Sequence, residues 1–450
     1  MTIKTEKRTF YKKLFQLAIP MMLHQLLLNS ASFIDTIMIG QLGAESVAAV
    51  GLANQMFFLI NLIYFGLGSG SGVLMSQFWG AKNITGFRKS FILAIITSSV
   101  FALFFSISSF FFPRQIMTFF THDKIVISLG VKYLKIVSIS YFFSSVGFIY
   151  ATAFRAIHNT KVPLFIATLS LSFNTIGNYL LIFGIGPFPQ LGVEGAAIST
   201  ALARFIEVAL LIFLSLKKKN ESLKINKFTS YSFTKLFIKK FFKTSSPVVL
   251  NELTWALGMV AYKYAFSKMG TTALAAVQVT ESITGLFFVV AMGFSMAASI
   301  MVGNKVGEKE YDIAQTISNR FLVISILSGI IMGLTLLVSA PFLTHLFALN
   351  SEISALIIKT LTYFAFLIPL KFLVTVIVVG IVRGGGSTTF AFLTEAFCVW
   401  LIGVPSVFIA IFVFNLPLPF VYLVMGLEEV VKSIIGLYKI KSRTWIKDFT

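Results

Sequence analysis

Residues 14–39 read LFQLAIPMMLHQLLLNSASFIDTIMI. A helix needs about 20 apolar residues to cross a hydrocarbon core of about 30 Å, and this run is long enough. It carries one carboxylate, Asp35. A charge at that depth costs about 2.5 kcal/mol or more, so Asp35 is expected to face a cavity or a partner rather than lipid. An acid so placed is read as a candidate functional site, the alternative being a carboxylate tied to a neighbouring helix to fix packing, and the rest of the chain is read outward from it.

The surroundings are as apolar as the stretch itself. Of 450 residues, 57% are hydrophobic and 12% charged, and the mean hydropathy is +0.88. A soluble domain carries about 25% charged residues. The reading is an all-α integral membrane protein with twelve spans, near 14–39, 48–79, 90–112, 127–153, 163–184, 194–216, 244–267, 276–304, 316–340, 352–382, 389–413 and 418–438. One connection is long, KKKNESLKINKFTSYSFTKLFIKKFFK at 217–243, basic enough to lie at the membrane surface. It divides the chain into a lobe of residues 1–216 and a lobe of residues 244–450.

The formal charge of +20 suits nucleic acid poorly, because of where it sits. Lys and Arg gather in 2–13, 82–89, 217–243, 305–309 and 439–447, which are alternate gaps between apolar runs. Such a bias marks the cytoplasmic side. The expectation is a multi-pass protein of the cell (inner) membrane with both termini in the cytoplasm and the lipid bilayer as its surroundings. The first run is longer than the 7–15 residues of a signal-peptide core, so it is read as a span and not as a cleaved leader. The one cysteine, Cys398, allows neither an intrachain disulfide nor a cysteine metal site and reads as a packing residue.

The halves repeat. Pro20 falls on Pro247, a shift of 227, and the same shift sets Leu23 on Leu250, Gly43 on Gly270, Gly66 on Gly293, Gly80 on Gly307 and Lys82 on Lys309. Further on, Arg155 meets Arg383 and Thr160 meets Thr388 at a shift of 228. Six spans per half give both halves the same orientation, so two six-helix bundles are related by an axis along the membrane normal. Transporters that rock two bundles about a central site are built this way. A channel is more often a symmetric oligomer, so the expected state is a monomeric transporter.

Several stretches resemble the multidrug and toxic compound extrusion (MATE) family of cation-coupled exporters. They are IPMMLHQLLLNSASFIDTIMIGQLGAESVAAVGLANQ, GVLMSQFWGAKN, FRAIHNTKVP, NTIGNYLLIFG with LGVEGAAISTALAR, and IVRGGGSTTF with PSVFI after it. The resemblance runs over 14–447 and implies two six-helix bundles with a cleft between them. It also implies that Asp35 matches the family's first-helix coupling aspartate.

The other intramembrane polar residues are read beside Asp35. Asn174 and Asn178 are four apart, so their amides share one helix face; neutral oxygens there suit sodium or hold a carboxylate for protonation. Thr200 and Tyr141 resemble further lining positions. The alternative for these residues is hydrogen-bonded glue between helices. Some family members have a second acid where Asn178 stands, and its absence favours a single exchanged charge. Glu252 resembles a seventh-helix glutamate used for coupling by members that also have a tenth-helix acid. Here that helix supplies only Lys371, so a Glu252–Lys371 ion pair is the alternative, and under the repeat Asp35 falls on Tyr262. Arg204 with Glu207, and Glu428 with Lys432, are spaced to pair along their own helices and read as structural. His24 shares a face with Asp35 and reads as packing, with proton relay as the alternative; the other histidines, His122, His158 and His345, imply no metal cluster. The run Gly66, Gly68, Gly70, Gly72 lacks a P-loop lysine and lies in an apolar span, which points to close helix packing or flexibility.

No Walker motif, Ser/His/Asp set or metal-ligand spacing is present. The expectation is not an enzyme but a secondary-active antiporter that exports small organic, cationic compounds against protons or sodium ions, with no cofactor beyond the coupling ion. Sodium, if used, would sit at Asp35. Protons are favoured, since Asn178 and Lys371 thin out the acids a sodium site wants. The alternatives are a flippase for lipid-linked saccharides, which would want an arginine-rich cleft, and a channel or membrane scaffold.

Overall fold

A computed structural model describes residues 3–224, 233–347 and 350–450. The first half is built from α1 (Ile3–Gly40), α2 (Ala44–Gly80), α3 (Ile84–Phe111), α4 (Pro113–Phe120), α5 (Lys124–Ala156), α6 (Lys161–Phe183) and α7 (Val193–Ser215). The second has α8 (Lys235–Ser267), α9 (Thr271–Gly307), α10 (Tyr311–His345), α11 (Ser351–Thr375), α12 (Thr388–Cys398), α13 (Val404–Phe412) and α14 (Leu418–Lys441). A π-helix, Val376–Val382, prolongs α11, and a second, Val399–Gly403, joins α12 to α13 in one continuous span. The eight-residue α4 is too short to cross a bilayer. The other elements correspond to the twelve stretches read from the sequence as spans. Among the described residues, ten helices are long and apolar enough to cross a membrane by length and composition. The two outside that set, α8 and α14, carry Glu252 and the trio Glu428, Glu429 and Lys432.

The chain folds as two compact units, one of Met1–Met22, Ser76–Lys82 and Lys243–Thr450, the other of Leu23–Met75 and Asn83–Phe242. Packing therefore assigns the start of α1 and the end of α2 to the same unit as the later residues. The surface connection expected at 217–243 is partly helical. Lys218–Leu223 forms a 3₁₀ turn, held where Arg88 donates to the carbonyls of Glu221 at 2.6 Å and Ser222 at 3.2 Å. Residues 225–232 lie outside the described residues, and α8 begins at Lys235. Its early start has a physical cause, since Phe241 is fully buried and the Lys89 ammonium stands 5.8 Å above the Phe237 ring.

The repeat is visible in the backbone. Gly43 (φ 111°) and Gly270 (φ 99°) make the same left-handed turn before the second helix of each half, a conformation that costs glycine nothing. Lys82 (φ 55°) and Lys309 (φ 60°) repeat it after that helix. At the ends of α2 and α9 the equivalence becomes a contact. A Cβ on Gly80 would overlap the carbonyl of Asn304, and one on Gly307 would overlap the carbonyl of Gln77. Under the shift of 227 Gln77 is the counterpart of Asn304, so the two contacts are one contact made twice, as a local two-fold requires. In the run of glycines, Gly68 lies where a Cβ would strike the Phe148 ring, which settles close helix packing as its role there.

Both members of the reciprocal contact should be equally intolerant of a methyl group. Gly80→Ala and Gly307→Ala are each expected to lose about 1–3 kcal/mol, the range for overpacking. The check is the temperature at which purified protein loses its monodisperse form, and similar downward shifts are expected for the two variants.

Candidate functional site

Three helices of one unit converge on Asp35. It sits near the end of α1, and α6 and α7 bring polar side chains against it. Asn178 Nδ2 donates to Asp35 Oδ1 at 2.6 Å, a charge-assisted bond worth more than a neutral one. One turn earlier, Asn174 Nδ2 lies 3.4 Å from both Ser199 Oγ and Thr200 Oγ1. Ser199 Oγ returns a bond to the Asn174 carbonyl at 2.8 Å. The four-residue spacing of the asparagines sets one amide against the acid and the other between α6 and α7.

A pocket opens beside these bonds. Asp35 lines it with Ala167, Ser170 and Asn174 of α6 and Thr200, Ala203 and Arg204 of α7, over an apolar floor that includes Leu27 and Leu28. Its volume of about 40 Å³ holds a few waters or an ion, well short of the ~300 Å³ of a drug site. Asn178 Oδ1 is buried and accepts no hydrogen bond among the described residues. The residues of its wall with side-chain oxygens are Asp35, Ser170, Asn174 and Thr200, one of them an acid.

Arg204 pairs with Glu207 at 2.8 Å, as their three-residue spacing suggests. Ser170 Oγ donates to the same oxygen, Glu207 Oε2, at 3.4 Å. Yet Arg204 also stands on the wall of the Asp35 pocket. The signal was available, because Thr200 and Arg204 are four apart on one helix and share a face. Tyr141 is elsewhere. It is fully buried, packs its ring 5.8 Å from that of Phe57 and accepts a bond from the Tyr64 hydroxyl on its carbonyl at 2.6 Å, away from the pocket wall. His24 Nδ1 lies 3.4 Å from the Arg155 guanidinium, a packed position in keeping with its reading.

In the other unit, the expected alternative of a Glu252–Lys371 pair is not formed. Glu252 meets Arg383 at 2.8 Å, and Lys371 meets Glu429 at 2.9 Å. Arg383 is only 1% exposed, so its charge takes the nearest deep carboxylate, whereas Lys371 at 23% reaches α14 from a less buried position. Beside them Lys432 bridges Glu395, at 2.8 Å, and Glu428; the Tyr262 hydroxyl donates to the second oxygen of Glu428. The pairing of Glu428 with Lys432 is as the sequence spacing suggested, and Glu395 joins it from α12.

Comparison with known proteins agrees with this architecture. The MatE family model matches twice, over residues 20–180 and 247–409, and the two matches start 227 residues apart, the shift of the internal repeat. Among relatives, the probable multidrug resistance protein NorM of Thermotoga maritima is 24% identical over 99% of this chain and 95% of its own. The uncharacterized transporter YisQ of Bacillus subtilis is 24% identical over 99% of this chain and 96% of its own. Among solved structures, an outward-facing multidrug resistance MATE family transporter of the MOP superfamily superposes with a TM-score of 0.87 at 19% identity, covering 96% of both chains. A MOP superfamily transporter from Pyrococcus furiosus, described as having a binding pocket of reverse polarity and a different function, gives 0.85 at 19% identity, covering 96% of this chain and 95% of that one. Two solved structures with different described functions share this fold, so the fold alone does not choose a substrate. With the family model matched over most of its length in the two repeats that its own backbone displays, the chain belongs to the MatE family of multidrug and toxic compound extrusion transporters.

Proposed function

We propose that the chain is a secondary-active antiporter that exports small organic, cationic compounds in exchange for protons, by alternating access, with Asp35 as the exchange site. The observation that carries this reading is the 2.6 Å bond from Asn178 to Asp35 beside a pocket shared with Arg204. One carboxylate holds one proton or one monovalent cation, and each excludes the other. Asn178 supplies a donor to the ionised carboxylate, and with its amide turned over its unused buried Oδ1 can accept from the protonated one. Both charge states are thereby satisfied, as an exchange site requires.

Sodium is the other candidate, and the surroundings favour the proton. Asp35 is the one acid on the pocket wall, enough to take up a single proton, whereas a sodium site wants more acids than this one. The small volume supports a site that must open to admit an organic substrate, so that ion and substrate alternate. A flippase for lipid-linked saccharides would want free cations for an anionic headgroup, but Arg204 is tied to Glu207. The placement of Lys and Arg between the spans supports cytoplasmic termini, with Asp35 towards the outer end of α1.

Asp35→Asn keeps the shape and one hydrogen bond but removes the charge, so efflux of a fluorescent dye cation from cells should fall to background while the protein stays folded. In proteoliposomes holding the native chain, a pH gradient should drive dye transport and a sodium gradient alone should not. Undiminished efflux by the variant, or drive by sodium alone, contradicts the proposal. Asn178→Ala strands the carboxylate without its donor, and a bond to a charged group is worth about 1.5–3 kcal/mol. Dye transport by that variant should drop roughly 10- to 100-fold, read as the initial rate under a fixed pH gradient.

A further inference from the structure

The two repeats can be brought into register helix by helix, and the register shows what stands in the second repeat where the first has its pocket. Tyr262 answers Asp35 at the shift of 227 that relates the Gly43/Gly270 and Lys82/Lys309 turns. At the shift of 228 shared by Arg155 and Arg383, the buried Ile166, Ala167 and Ser170 of α6 answer the buried Thr394, Glu395 and Cys398 of α12. The π-turn then adds a residue and sets Gly403 against Asn174. For the last pair, Val193 and Leu418 both open their helices, and seven buried positions of α7 (193, 196, 197, 203, 208, 211 and 215) fall on buried positions of α14 (418, 421, 422, 428, 433, 436 and 440).

The consequence is a substitution of contents. Ala167 and Ala203, small residues on the pocket wall of the first repeat, are answered by Glu395 and Glu428. Glu207 is answered by Lys432, a reversal of charge. In the second repeat the two carboxylates fill the space and the Lys432 ammonium sits between them, 2.8 Å from Glu395 and bonded to Glu428, with all three side chains 9% exposed or less. Gly403 is required there, because a Cβ would overlap the Tyr262 hydroxyl and the Glu428 carboxylate. The remaining acids of the cluster are already matched, Glu252 with Arg383 and Glu429 with Lys371.

We infer that Lys432 is a resident cation, its tethered ammonium filling in the second repeat the place that the Asp35 pocket holds open in the first, so that ion exchange is confined to one site per molecule. The inference rests on the reading of Asp35 as the exchange site. A mobile cation needs an oxygen-lined space that empties, and a lysine bonded to two carboxylates on neighbouring spans does not leave. Lys432 thereby sets how many charges the transporter exchanges, without touching the organic substrate.

If the ammonium occupies a cation site, cutting it off should make that site available to a free cation of similar size. Lys432→Ala is compared with the native chain and with the charge-balanced Lys432→Ala/Glu395→Gln. Each is heated as purified protein in sodium, methylammonium or choline chloride at one ionic strength. Binding to the folded state raises its melting point. The expected result is a saturable rise of roughly 3–5 °C for Lys432→Ala in methylammonium or sodium, none in choline, and none for the native chain. The double variant should lose most of that response. A single variant with no cation-selective response, one that stays unfolded in every medium including methylammonium, or a native chain that responds equally would overturn the inference. Asp35→Asn, which tests the exchange reading through transport, should leave these melting responses unchanged, so failure of one is distinguishable from failure of the other.

Discussion

A charged side chain inside a hydrocarbon layer must find a counter-charge or enough hydrogen-bond partners, and that constraint arranges the polar residues of this transporter. The buried pairs Glu252–Arg383, Lys371–Glu429 and Lys432–Glu395 form between spans, while Arg204–Glu207 forms along one. Asp35 is treated differently. Its bonded partner is a neutral amide rather than a cation, and Arg204, which shares its pocket, is engaged by Glu207. A carboxylate balanced by an amide keeps the option of neutralisation by a proton, whereas one locked in an ion pair would have to break the pair first.

The repeat supplies a framework on which these two solutions are laid. Equivalent turns, equivalent arginines and a contact made twice at Gly80 and Gly307 show one helical plan used in both halves. On that plan the first half places alanines and an open pocket, and the second places glutamates and a lysine. The arginines show the same divergence, since Arg155 lies against His24 and its counterpart Arg383 against Glu252. Duplication fixed the backbone, which packing constrains, and left the side chains facing the interior free to specialise.

How far the sequence could be read follows from the range of the interactions involved. Span number, the repeat and the singling out of Asp35 rest on local properties, namely run length, hydropathy and the expense of an acid in an apolar run. The short-range pairs Arg204–Glu207 and Glu428–Lys432 were legible for the same reason, being set by helical spacing. Glu252 illustrates the opposite case. Lys371 was the expected partner, but the cation it meets is Arg383, and that choice depends on which helix faces turn inward, a matter decided over 131 residues of chain. Tyr141 is similar, because burial in a core and exposure on a pocket wall look alike in a single span. The helical stretch at 235–243 was hidden by its lysines, whose stems allow basic residues to flank buried rings such as Phe241.

The sequence by itself determined a twelve-span, twice-repeated membrane transporter and the one acid that stands apart, because bilayer thickness and the cost of burying charge act on residues one span at a time. The tertiary structure alone decided that Asn178 bonds to Asp35, that Arg204 shares its pocket, and that Lys432 lies between Glu395 and Glu428. Those facts depend on how helix faces are rotated against one another. Rotation is set by the summed packing of many side chains and leaves no local mark in the order of residues.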